Sequence, residues 1–338
     1  MLPCGKTISF SRRLSAKIVT SAQKIWIVRG IKTLIVLAVV VGIGRFVQRA
    51  FVDLNQHGFS LTEINAWWLG LSSVTYLLGQ LPAGMFWHRV LHAVGQRPHW
   101  YDTLRAYYVG HLGKYVPGKA MVVVLRTGLI RGQHVDPTAA AVTVFTETLT
   151  QMAVGAALAA GIIALHFSQH WQLMLLACVL MICAGLPTVP VFFRKLVIVL
   201  KVARVSPEID QQLLGIRPRL MFQGWCLNLV GWSILGISLW AAIRAVPETT
   251  IQVPWSIQHH LLLTAAVALA IVSGFLSLIP GGLGVRELVL IGLLAHELQL
   301  GDLQAVVATI AVRLSWLVAE LVAAAWLSGW KSPTTAES

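Results

Sequence analysis

The chain has 338 residues, 57% of them hydrophobic and only 12% charged, with a formal net charge of +13 and a mean hydropathy of +0.74. A soluble domain carries roughly 25% charged residues, so this composition excludes an ordinary soluble enzyme. Because the Lys and Arg sit in loops between apolar runs, the positive charge is read as a topology signal and as a partner for anionic lipid, not for nucleic acid.

The first 33 residues hold Lys6, Arg12, Arg13, Lys17, Lys24, Arg29 and Lys32 and no acid, which predicts a basic cytoplasmic tail over 1–30. A single transmembrane domain is expected over 31–330, with a short tail over 331–338. A crossing needs about 20 apolar residues. On that measure spans are predicted at 31–51, 68–88, 138–165, 171–193, 220–244, 259–279 and 303–330. Segments 107–128 and 283–298 are too charged or too short for ordinary crossings. The expected fold is therefore all-α: a polytopic helical membrane protein with seven or eight transmembrane helices and two Pro-Gly-broken re-entrant or interfacial segments.

Trp67, Trp68, Trp87, Trp171, Trp240, Trp255 and Trp330 fall near predicted span ends, as an interfacial belt should. Basic stretches at 89–135 and 194–219 belong with the N-terminus in the cytoplasm, and loops 48–66 and 245–258 outside. The four cysteines are expected as small buried residues. Ala156, Ala159, Ala160, Ala323, Ala324 and Ala325 permit close helix packing, inside one chain or across a homo-oligomer.

The most informative segment is Ile279-Pro280-Gly281-Gly282-Leu283-Gly284-Val285-Arg286-Glu287. Proline and glycine break a helix at membrane depth, and two opposite charges follow. Broken backbone and charge are costly in lipid unless they line a cavity enclosed by protein. A weak echo precedes it. Val116-Pro117-Gly118-Lys119 leads to Arg126, then Asp136-Pro137 opens a helix carrying Glu147; the later segment leads to Arg286, then Asp302 opens a helix carrying Arg313. Paired, interrupted hydrophobic segments point to a transporter site.

Glu147, Glu287 and Glu320 are the acids well inside apolar segments, with Arg126, Arg286 and Arg313 as counter-charges. These charges either neutralise one another structurally or line a polar cavity for a ligand. Gly281, Gly282 and Gly284 are expected to leave amides bare at a half-helix start, which with Arg286 suits phosphate or another anion. Lys114 and Lys119 offer the same chemistry near the other Pro-Gly pair. The G-x-x-x-x-G-K pattern at Gly113–Lys119 lacks the following Ser/Thr, since Ala120 stands there, and no strand precedes it. His88 and His92 have no third metal ligand nearby. No metal or cofactor is called for, and no catalytic signature is present.

These Pro-Gly segments resemble the lysylphosphatidylglycerol synthase transmembrane-region family of flippase-like membrane proteins. The resemblance rests on Leu112–Lys119 with Arg126, the Glu147 helix, Leu278–Glu287, and Arg313-Leu314. It implies a role for Arg126, Glu147, Arg286, Glu287 and Arg313. The family often has Arg after the third-helix glutamate, where this chain has Thr148, and the lysine-attaching synthase domain has no counterpart in these residues. The implied function is movement of a phospholipid or lipid-linked head group between leaflets of a bacterial-type inner membrane. Anionic or aminoacylated phospholipid, hopanoid or polyprenyl-linked lipid are the partners in view. Two alternatives stay open: an intramembrane transferase on lipid-linked sugar using an outer carboxylate such as Asp53, Glu63 or Glu248, or a non-transporting membrane scaffold.

Overall fold

The computed structural model describes residues 64–116, 120–130, 135–166, 185–190, 209–247, 253–277, 279 and 282–329, with scattered helical positions between 37 and 52 and between 175 and 195. The spans expected at 31–51 and 171–193, and both tails, lie outside the continuously described residues. Among the described residues the chain is helical, without strands. Eight helices of eleven residues or more carry it: α1 (Ala66–Ala93), α2 (Trp100–His111), α3 (Ala120–Ile130), α4 (Pro137–His166), α5 (Pro218–Ala245), α6 (Ile257–Leu276), α7 (Val285–Glu297) and α8 (Asp302–Ser328).

Helices α4, α5, α6 and α8 are long and apolar enough to cross a membrane. The molecule is a polytopic helical membrane protein. Helix α1 has the length, 28 residues, but dilutes its hydropathy with Ser72, Ser73, Thr75 and Gln80. The remaining three have 12, 11 and 13 residues. At about 1.5 Å per residue they reach about 16–20 Å, short of a hydrocarbon core about 30 Å thick. The segment predicted over 107–128 is thus two short helices, α2 and α3, joined through a 3-10 turn at Leu112–Tyr115.

Helix starts follow local chemistry. Asn65 accepts from the Trp67 amide at 3.0 Å, Asp136 from Ala139 at 2.8 Å and Ser256 from His259 at 3.1 Å, each satisfying an orphan donor. Pro137 and Pro218 stand at first helical positions, where a missing N–H does no harm. Asp302, expected to cap its helix, is instead its first residue. Gly301 occupies the cap without a side-chain bond.

Helix α1 lies against α5 at a glycine-lined crossing. A Cβ at Gly231 would fall 2.7 Å from the Gly79 carbonyl oxygen, and one at Gly224 would fall 2.4 Å from the Phe86 ring. Small residues let backbones approach where lipid offers no hydrophobic drive between helices. Ser72 of α1 then meets Ser238 of α5 and Ser315 of α8, each at 3.1 Å, and the Trp316 indole donates to Ser238 at 2.8 Å. These buried hydroxyls satisfy one another across three helices, as buried polar groups must.

Two sequence expectations fail here. Trp87 is no belt residue: it is fully buried, its indole donating to Thr143 at 3.1 Å, because the helix runs on past the predicted span end to Ala93. Cys226 is exposed on a bundle helix whose outer face meets lipid.

Candidate substrate cavity

Described helical elements stop before and restart after each Pro-Gly pair. The 3-10 turn after α2 ends at Tyr115 and α3 starts at Ala120; α6 ends at Leu276 and α7 starts at Val285. Pro117, Gly118, Lys119, Pro280 and Gly281 lie outside the described residues. After each break a short helix precedes a long one, α3 before α4 and α7 before α8. Gly282 and Gly284 hold φ of +67° and +85°, values that side-chain-bearing residues rarely adopt. A Cβ on Gly282 or on Gly274 would also fall 2.7 or 2.6 Å from the Arg286 side chain. The two glycines form the slot through which Arg286 passes.

Two buried carboxylates, Glu147 and Glu320, and one partly exposed carboxylate, Glu287, each meet a cation from another element. Glu147 of α4 accepts from Arg126 of α3 at 2.5 Å, with side chains 0% and 3% exposed. The guanidinium lies over the Tyr107 and Trp87 rings, 4.2 and 5.4 Å from their centroids. Thr148 donates to Glu147 at 3.3 Å. Glu320 of α8 accepts from the Lys114 ammonium and from the Tyr76 hydroxyl, with His111 Nε2 at 3.9 Å. Tyr76 stacks on Trp316 at 4.8 Å. Glu287 Oε1 of α7 stands 2.8 Å from Arg313 Nε of α8, an ion pair without hydrogen-bond alignment. Its Oε2 accepts from the Gly284 amide at 2.7 Å.

Two expectations change with this geometry. The counter-charge of Glu320 is Lys114, not an arginine. The amides of the two described glycines are not bare, since Gly284 donates to Glu287 and Gly282 donates to the Ile279 carbonyl at 2.9 Å. The tight turn that starts α7 uses its own donors.

Arg286 differs from the other cations. Among the described residues it forms no ion pair, whereas Arg126, Arg313 and Lys114 each meet a carboxylate; like Arg126 Nε and Arg313 Nε, its buried Nε has no hydrogen-bond partner. It faces a cavity of about 170 Å³ lined by α1, the end of α2, the 3-10 turn, α3, α4, α6, α7 and α8. Lys114, Arg126 and Arg286 line it, together with Tyr76, Gln80, His111, Thr148, Gln151, Gly282 and Trp316, and with apolar groups such as Val122, Phe145, Met152 and Phe275. Among the described residues no carboxylate lines it; Glu147 and Glu320 bind their cations without reaching its wall. Of the residues expected from sequence, Lys114, Arg126, Gly282 and Arg286 meet in this one cavity. Glu147, Glu287, Arg313 and Glu320 brace it, and Gly284 caps α7. Lys119 and Gly281 are outside the described residues.

Sequence reading missed Tyr76, Gln80, His111 and Trp316. A signal existed for two of them: Tyr76 and Gln80 are four apart in an apolar run, hence on one helix face. No three-ligand cluster of His, Cys, Asp or Glu exists among the described residues.

The sequence model of the family described as "Lysylphosphatidylglycerol synthase TM region" matches residues 33–324, most of the chain. The chain belongs to this family. No curated protein matches the chain. For a member of the lysylphosphatidylglycerol synthase transmembrane-region family, a function tied to membrane lipid is what the match supports. Both Pro-Gly segments, the glutamate helix and the last arginine helix fall within the matched residues.

Proposed function

We propose that this protein moves a lipid head group between membrane leaflets. The observation that carries the reading is the convergence of both Pro-Gly-broken segments on one cavity lined by Lys114, Arg126 and Arg286. Irregular backbone at membrane depth is tolerated where it lines a cavity, and transporters place their sites between such interrupted helices. The phosphate of the head group enters from the cytoplasmic side and is held by Lys114 and Arg286. Arg126 takes it onward, while the Arg126–Glu147, Lys114–Glu320 and Arg313–Glu287 pairs exchange partners between two bundle states. Each exchange has to balance nearly, since one buried charge left unpaired costs about 3–5 kcal/mol. The basic N-terminus and the basic loops face the cytoplasm of a bacterial-type inner membrane.

Translocation of tagged lipids in proteoliposomes tests this reading. Movement of a lipid class that is lost in a folded Arg286→Ala variant is the expected result. Equal movement by wild type, Arg286→Ala and protein-free vesicles would refute it.

A further inference from the structure

We infer that the cavity is a site for a monoanionic phosphodiester carried by a lipid whose remaining head group is uncharged. This rests on the lipid-transport reading and specifies its substrate class. Three cations line the cavity, and two of them, Arg126 and Lys114, are matched by Glu147 and Glu320. Among the described wall residues one positive charge, on Arg286, is in excess. One phosphodiester carries one negative charge, so its entry neutralises the site.

The rest of the wall tells against a cationic head group. A buried ammonium is held chiefly by a carboxylate; aromatic faces such as those of Phe145 and Trp316 in this wall give much less by themselves. Among the described residues no carboxylate lines the cavity. Lys114 already lies over the Tyr76 and Tyr115 rings at 5.8 and 5.1 Å, and Arg126 covers Tyr107 and Trp87. Besides its cations, the Tyr76 hydroxyl and the His111 imidazole, the polar groups that the described wall offers are neutral: the Gln80 and Gln151 amides and the Thr148 hydroxyl, groups that pair with alcohols. Thr148 matters most, because a cation there would raise the excess charge to two. The volume, about 170 Å³, compares with the ~150 Å³ cavity that admits a benzene-sized guest. It suits a phosphodiester with a short polyol better than an oligosaccharide.

The test is lipid competition on the purified full chain in detergent, read by native mass spectrometry. The probes are phosphatidylglycerol, phosphatidylethanolamine, lysylphosphatidylglycerol and inorganic phosphate. Phosphatidylglycerol should be retained about tenfold over each of the other lipids, the ratio expected for one charge-assisted contact, and millimolar phosphate should not displace it. Arg286→Gln should reduce that preference to near unity. Equal or better retention of the lysyl lipid overturns the inference, and so does displacement by phosphate, which would mark a site for the free ion. The wild-type competition decides even if Arg286→Gln does not fold. Lipid movement in vesicles without this preference sinks the head-group assignment and leaves transport standing. The preference without any movement does the reverse.

Discussion

The Arg126–Glu147 pair makes a quantitative demand on the bundle. Replacing Glu147 by Leu keeps the side-chain volume similar but leaves the Arg126 guanidinium, 2% exposed, without its anion. Removing one member of a fully buried pair costs about 3–5 kcal/mol. The aromatic contacts of Arg126 persist in the variant, so they do not offset this loss. Arg126→Met in the same chain removes the stranded charge as well. Buried ion pairs replaced by apolar groups of similar size are often neutral or stabilising, so the double variant should recover most of the loss. Equilibrium unfolding in mixed micelles of wild type, both single variants and the double variant closes the cycle. The expected coupling is about 3 kcal/mol or more. A loss under about 1 kcal/mol for Glu147→Leu, or a double variant that simply sums the singles, would refute the claim that these groups form one desolvated unit.

Other outcomes follow from the same geometry. Glu287→Leu should destabilise less than Glu147→Leu, since the Glu287 side chain is 22% exposed; the same unfolding series ranks the two. Gly231→Val should lower stability by about 1–3 kcal/mol through overpacking, because a Cβ there meets the Gly79 carbonyl, which is backbone and has little room to give; thermal aggregation in detergent reports it. Gly282→Ala combines a strained φ of +67° with a clash on Arg286, so it should cost about 1–2 kcal/mol and abolish lipid movement in proteoliposomes. Swapping the Lys114–Glu320 charges with Lys114→Glu/Glu320→Lys should restore the stability lost in either single change, yet leave transport impaired because the cavity wall then carries an anion.

The sequence was most legible where lipid constrains it. Runs of apolar residues placed α4, α5, α6 and α8 within a few residues, because an unsatisfied backbone in hydrocarbon leaves no choice but helix. Pro117-Gly118 and Pro280-Gly281 lie outside the described residues, between helical elements that end before them and start after them. Pairing of charges was less legible. Arg313 and Glu320 are seven apart and share a face, but periodicity does not say which helix each one meets. The Lys114 partner depends on how the 3-10 turn packs on α8, a tertiary fact without local signature. Tyr76 and Gln80 were overlooked because two polar groups in an apolar run are tolerated when they bond internally, as Tyr76 does to Glu320. Trp87 misled because tryptophan favours both interfaces and cores, and only the extra turn of α1 distinguishes them.

Helix α8 holds the segment beside each break through charges of opposite sign, Arg313 onto Glu287 of α7 and Glu320 onto Lys114 of the 3-10 turn. Both anchors ride on one rigid rod, two turns apart. A rotation of that rod acts as a crank: it cannot loosen one segment without loading the other. The two halves of the molecule are thereby geared together, so states with one break displaced and the other at rest are penalised, and an intruding anion that draws Lys114 away from Glu320 is felt at Glu287 across the bundle.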